Sequence, residues 1–309
     1  MSVIKVEDIA HVRFRAPDLG RMAQYLADFG LLPADARTDR LYVRGRGSAP
    51  FVHVTELGEP AFLAVGFRAQ SLADLAALST ATGAPVEDHD APGGGRIVRL
   101  KDPDGHGVEV VAGQSPAAEV AIESPPAWNS AHGRPRLRTV KRVAAGSATV
   151  MRLGHAVLNV SDFRASEAWY KGLFGFLTSD EIAVAPEFSL GAFLRCDRGD
   201  SPTDHHTLFL AQLPTGPGFN HAAFEVQDLD DLMRGHAHLK AAGADPEWGV
   251  GRHVLGSQVF DYWRDPWGFT LEHWTDGDLL TAADPPRKAS IQELMGVQWG
   301  MPMPSTMGG

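Results

Sequence analysis

Cysteine is nearly absent from this chain. Cys196 is the only one in 309 residues, so no disulfide can form within the chain, and a reducing cytoplasm is the expected compartment. Long hydrophobic runs are also missing. None approaches the ~20 apolar residues of a membrane span, and the opening Met1-Ser2-Val3-Ile4-Lys5-Val6 has no signal-peptide core, so no membrane partner is expected. Positive charge is scarce. Lys and Arg number 28 against 38 Asp and Glu, a formal net charge of −10. That balance argues against a nucleic-acid partner and mainly favours solubility. What remains is ordinary: hydrophobic residues make up 44%, a globular composition, and the length suffices for two cores.

The chain repeats itself. Asp8-Ile9-Ala10-His11-Val12-Arg13-Phe14-Arg15-Ala16-Pro17-Asp18 is similar to Arg152-Leu153-Gly154-His155-Ala156-Val157-Leu158-Asn159-Val160-Ser161-Asp162. Each is a strand-like run that starts near a His and ends at an Asp able to cap a helix. Helical segments follow, with Met22, Tyr25, Leu26 and Phe29 in one copy and Trp169, Tyr170, Leu173 and Phe174 in the other. Short strands come next, Leu63 to Phe67 and His221 to Val226, then capped helix starts at Ser71 and Asp228. Each copy closes in a hairpin, at Asp102-Pro103-Asp104-Gly105 and Asp265-Pro266-Trp267-Gly268.

Strands and helices in the same order twice imply an α+β protein of two tandem domains. The first is expected over 1–113 and the second over 150–276. Residues 114–149, rich in Pro and carrying Arg134, Arg136, Arg138, Lys141 and Arg142, form the linker, its charge a solvated surface or a contact with an acidic partner subunit. The tail 277–309, with Met295, Trp299, Met301, Met303 and Met307, is too apolar for a free end. It is expected to pack on the second domain or on a neighbouring subunit.

The two copies differ in chemistry. The second holds His155 on its first strand, His221 before its second helix and Glu272 on its last strand. Two imidazoles and one carboxylate on neighbouring strands can occupy one face of a divalent metal, leaving positions open, as in non-haem Fe(II) oxygenases. The first copy keeps His11 and Glu109, but Ala64 falls where the middle ligand would be. One site, in the second domain, is the expectation. A type I turn with a bulge at Gly268 pairs Tyr262 with Glu272 on one face of the sheet. Any one His is more often surface or core than ligand. The joint match to corresponding elements of a repeat makes the metal reading the better one. His236 reads as amphipathic filler, His106 as a solvated turn residue, and His273 as facing away from Glu272.

These motifs resemble type I extradiol ring-cleavage dioxygenases of the vicinal oxygen chelate superfamily. The resemblance covers nearly the whole chain and is strongest from Gly154 to Trp274. It implies paired βαβββ modules in each domain forming a cupped mixed sheet, with only the C-terminal domain active. The family's metal ligands fall on His155, His221 and Glu272. Its acid/base histidine falls on His206, fifteen residues before the middle ligand, and a further histidine and tyrosine fall on His253 and Tyr262. His205, one residue from His206 on a strand, is then expected to face the other way and be structural.

The resemblance further implies Fe(II), with Mn(II) also accepted by these ligand types, and a homo-oligomer. It implies insertion of both atoms of O2 into a catecholic ring, substituted or polyhydroxylated, to give a semialdehyde-type product. Val157, and Val254 to Gln258 after His253, depart from the patterns of particular branches and leave the natural diol open. The alternatives are another metal enzyme of the superfamily, a glyoxalase-like isomerase or thiol transferase, and a metal-free small-molecule binding protein.

Overall fold

The computed structural model describes residues 2–304, so Met307 lies outside the described residues. The first half runs β1 (Val6–Ala16), α1 (Leu19–Phe29), β2 (Leu32–Ala36), β3 (Arg40–Arg44) and β4 (His53–Leu57). It continues through β5 (Ala61–Ala69), α2 (Leu72–Thr82), β6 (Val86–Asp88), β7 (Arg96–Lys101) and β8 (Gly107–Ala112). The second half repeats the order as β9 (Val150–Asn159), α3 (Phe163–Phe174), β10 (Leu177–Ala185), β11 (Phe188–Arg195), β12 (Thr203–Asp204) and β13 (Leu208–Ala211). It continues as β14 (Gly218–Val226), α4 (Leu229–Ala241), β15 (Asp245–His253), β16 (Val259–Arg264) and β17 (Thr270–Thr275). The chain ends in β18 (Leu279–Leu280), β19 (Arg287–Ser290), α5 (Ile291–Met295) and β20 (Val297–Gly300).

Two βαβββ modules build each large sheet. The first sheet has the order β2-β3-β4-β1-β5-β8-β7-β6, with the two modules meeting where β1 runs antiparallel to β5. The second has the order β19-β10-β11-β13-β9-β14-β17-β16-β15-β20 and meets at β9 and β14. Two strands of the C-terminal segment extend it at both ends, β19 parallel to β10 and β20 antiparallel to β15, while β18 pairs with β12 in a separate two-stranded sheet. Residues 113–149 form no helix or strand. Of the basic residues there, Lys141 is used within the chain, 2.6 Å from Asp230 and over the Trp128 ring.

Local chemistry sets the helix starts. Asp18, Asp162 and Asp228 each accept a hydrogen bond from the backbone N–H three residues on, and Ser71 and Asp74 form a reciprocal capping box. The apolar faces then pack onto the sheets, with Met22, Tyr25, Leu26 and Phe29 all buried. The halves share one core: Phe62 stacks on Phe219 with centroids 4.6 Å apart, and the His273 ring lies 3.8 Å from that of Phe29. His273 faces that core, its Nε2 2.7 Å from the Phe29 carbonyl.

The last hairpin has the expected bulge. Asp265 N–H donates to Phe269 O at 2.8 Å, Gly268 takes φ +90°, and Tyr262 is paired with Glu272. His106, expected to be solvated, is instead half-buried, with Nε2 3.2 Å from the Asn159 carbonyl. Its turn lies against the second half, where a surface reading of the first half alone does not place it. Among the described residues no helix is long and apolar enough to cross a membrane.

Candidate active site and metal centre

The pairing of β9, β14 and β17 puts three side chains on one face. His155 and Glu272 both pair with Ala223, from either side of β14, and His221 pairs with Thr270 two positions before Glu272. The ligand atoms of His155, His221 and Glu272 lie within 4.8 Å of one another, and all three residues are buried. Nε2 of each histidine is 3.3 Å from Glu272 Oε2. That separation is close to the ~3 Å expected between neighbouring ligands at right angles around one ion with bonds of ~2.1 Å.

Electrostatics point the same way. Glu272 is fully buried, and neither carboxylate oxygen has a hydrogen-bond partner. An isolated buried carboxylate is expensive, and a cation held jointly with the two imidazoles would supply its missing partner. Burial pushes this carboxyl up, but His155 and His221, when protonated, override it and hold it well below the usual carboxylate range, a role that a bound cation would take over from neutral imidazoles. The Asn220 side-chain oxygen lies 2.8 Å from His221 Nδ1. Nδ1 therefore carries the proton, and the Nε2 lone pair faces Glu272. A register shift between Phe219 and His221 leaves Asn220 out of the β9 ladder, so its side chain can reach the neighbouring ring. Strict strand alternation hides that contact from a reading of the sequence.

The matching position in the first sheet is satisfied without an ion. Glu109 accepts from His11 Nε2 at 2.6 Å and from Arg13 Nη2 at 3.0 Å, and Arg99 Nε lies 3.4 Å away. Ala64 stands at the register of His221, since Ala64 pairs with Gly107 as His221 pairs with Thr270. Arg13, which no sequence motif marks out, stands at the register of Val157: Arg13 pairs with Ala64, and Val157 with His221. A guanidinium occupies the cation's role in one copy, and an aliphatic side chain leaves room in the other.

A cavity of about 340 Å³ opens above the three groups, lined by His155 and His221 and also by His206, His253 and Tyr262. The His206 ring lies 4.0 Å from that of His155. Burial and then the neighbouring His155 hold the His206 pKa well below the ordinary histidine value. Tyr262 Oη lies 2.9 Å from His253 Nε2. Burial, and then the Glu272 carboxylate, raise the phenol pKa well above its usual range, so it keeps its proton. Burial also lowers His253 to about 4. Trp248 stacks on Tyr262 and donates from Nε1 to the Met301 carbonyl at 2.9 Å. Leu294, Met295, Met303 and Pro304 bring the C-terminal segment to the cavity wall.

His205 does not face away from His206. Residues 205–207 form a bend between β12 and β13, not a strand, so alternation does not apply. The two rings meet with Nδ1 to Nδ1 at 3.2 Å.

Residues 152–273 match the model of the Glyoxalase/Bleomycin resistance protein/Dioxygenase superfamily. The second half of the chain is thus similar to this superfamily. A metapyrocatechase 2 of Cupriavidus necator is 29% identical over 304 residues, 97% of this chain and 90% of that protein. An iron-dependent extradiol dioxygenase of Rhodococcus jostii is 30% identical over 138 residues, 40% of this chain and 43% of that one. Among solved structures, a Mn(II)-bound glyoxalase from Novosphingobium aromaticivorans matches with TM-score 0.79 and 23% identity. That match covers 99% of this chain and 95% of that one. It establishes the shared fold, the vicinal oxygen chelate arrangement of mixed sheets.

Proposed function

We propose that this chain is a member of that superfamily and an extradiol, meta-cleaving dioxygenase that inserts both atoms of O2 into a catecholic ring to give a ring-opened semialdehyde-type product. One observation carries the reading. The buried His155, His221 and Glu272 cluster presents its two histidines to the same cavity that His206, His253 and Tyr262 line. The similarity to the metapyrocatechase over nearly the whole chain supports it.

His155, His221 and Glu272 would hold a divalent ion, Fe(II) in our reading, and the iron-dependent relative supports that choice over Mn(II). When bound, it supplies a net positive centre that gathers the diol and O2 and lowers the diol pKa. The protein's own groups do the rest. His206, kept neutral by burial, would take a proton from the substrate hydroxyl and later return one, work worth ~10²–10⁴-fold in rate. Tyr262, kept protonated, would donate toward charge developing on substrate oxygen, with His253 fixing its hydroxyl. The aromatic and aliphatic wall of Phe193, Phe209, Trp248, Leu255 and Met295 would exclude water.

The cavity wall includes no Lys or Arg among the described residues, so we assign it an uncharged, apolar-substituted catechol rather than a carboxylated one. The rival glyoxalase-like isomerase or thiol transferase needs neither His206 nor the Tyr262–His253 pair, and isomerases often assemble a fourth protein ligand, whereas the described group has three. A metal-free binding protein has no use for a fully buried Glu272 carboxylate gathered with two imidazoles. The test is direct: purified protein restored with Fe(II), mixed with 3-methylcatechol in air, should form a yellow ring-fission product. No product across a broad diol panel would reject the proposal.

A further inference from the structure

His206 is held from behind by a hydrogen-bonded chain. Asp180 on β10 lies with Oδ2 2.8 Å from His205 Nε2, and His205 Nδ1 lies 3.2 Å from His206 Nδ1. On the other side, Arg287 Nε donates to Asp180 Oδ1 at 2.7 Å. The last link comes from the C-terminal segment, because β19 pairs with β10 so that Arg287 lies directly opposite Asp180. His205 and Asp180 are buried. The bend carrying the histidines is fixed through its backbone, with Ser179 Oγ donating to His205 O at 2.6 Å and His205 N–H donating to Asp278 O at 2.9 Å. Gly256, at φ +73°, approaches the His205 ring so closely that a Cβ there would come within 3.1 Å of Nδ1.

The donors and acceptors allow one arrangement for neutral rings. An ionised Asp180 only accepts, so His205 Nε2 carries the hydrogen and His205 Nδ1 presents a lone pair. His206 must then donate from Nδ1, and its Nε2 is left with the lone pair. We propose that Asp180 and His205 are positioning residues that fix His206 in its Nδ1–H tautomer, with Nε2 free in the cavity to accept the substrate's proton. The identity of a ring's protonated nitrogen is set by what the other nitrogen bonds, and here that partner is itself oriented by a carboxylate. Burial raises the Asp180 carboxyl, but its bonds to His205 and Arg287 outweigh this and lower it, consistent with an acceptor-only group. Arg287 is itself half exposed, so its share is the smallest.

This inference rests on the proposed acid/base role of His206, and its test separates the two. In the full chain loaded with Zn(II) and labelled with ¹⁵N-histidine, NMR should show the His206 proton on Nδ1. In Asp180→Asn it should move wholly or partly to Nε2. That readout requires no turnover, so it stands if ring cleavage itself is not found. In the Fe(II) enzyme, Asp180→Asn should lower kcat roughly 10–100-fold, with KM and metal content within about threefold. Arg287→Ala should stay within a few-fold. His205→Asn places a side-chain oxygen near the position of Nδ1 and should recover much of the rate lost in His205→Leu, although neither variant keeps the hydrogen bond to Asp180. An unchanged His206 tautomer in Asp180→Asn, or equal losses in His205→Asn and His205→Leu, would overturn the proposal.

Discussion

Among single residues, the second sheet separates groups that would hold an ion from groups that would move protons. His221→Ala should abolish stoichiometric metal binding, because it leaves Glu272 with one imidazole neighbour. His11→Ala should leave one ion per chain and turnover within a few-fold, because Glu109 retains Arg13. Metal analysis of the two variants beside the parent, which should hold one ion, decides this. His206→Ala should retain the ion and lose ~10²–10⁴-fold in kcat. Tyr262→Phe should lose about tenfold, the worth of one hydrogen bond to a developing charge. A larger loss in Tyr262→Phe than in His206→Ala would mean that the phenol, not the imidazole, handles the proton.

Among the elements, the C-terminal segment is part of the site. β20 pairs with the end of β15, where Arg252 and His253 stand opposite Trp299 and Val297. α5, begun by a Ser290–Glu293 capping box, sets Leu294 and Met295 at the cavity. Truncation after Gly296 removes β20, the Trp248–Met301 bond and the Met303 wall, but leaves β9, β14 and β17 in place. Metal content should be unchanged. KM for a 3-alkylcatechol should rise roughly tenfold, with a smaller rise for unsubstituted catechol, because only the alkyl group depends on the apolar wall for its binding. Equal rises for both diols would show that the segment does not read the substituent.

For the molecule as a whole, burial of neutral histidine costs stability in acid. His53 is buried, neither ring nitrogen has a hydrogen-bond partner, and the ring stacks on Phe14. Burial lowers it to about 3. The folded chain therefore leaves it neutral while the unfolded chain protonates it below about pH 6.5. Its effect is nil well above that pH, and stability is lost as pH falls from there toward 3. Between pH 8 and pH 5 the loss is about 2 kcal/mol. His53→Phe keeps an aromatic ring against Phe14 and removes that contribution. Its urea-unfolding free energy should fall by about 2 kcal/mol less than the parent's over the same interval. Identical losses would show that His53 is protonated in the folded state.

The repeat, the capped helices and the three-residue cluster are legible in the sequence without any coordinates. Each depends on local rules: an Asp or Ser at a helix start, a Gly after a Pro-containing turn, and a fixed count of residues from turn to Glu272 or Glu109. Even the Tyr262–Glu272 pairing follows from turn chemistry, because a hairpin's register propagates from its turn. The tertiary structure is needed where those rules stop. Asn220 reaches His221 through a register shift, and His205 meets His206 in a bend, so alternation along a strand fails at both places. Arg13 and Arg99 neutralise Glu109 from separate strands, and Arg287 meets Asp180 across 107 positions of chain. Such contacts depend on which strands become neighbours, and strand order is set by packing of the whole core rather than by any stretch of sequence.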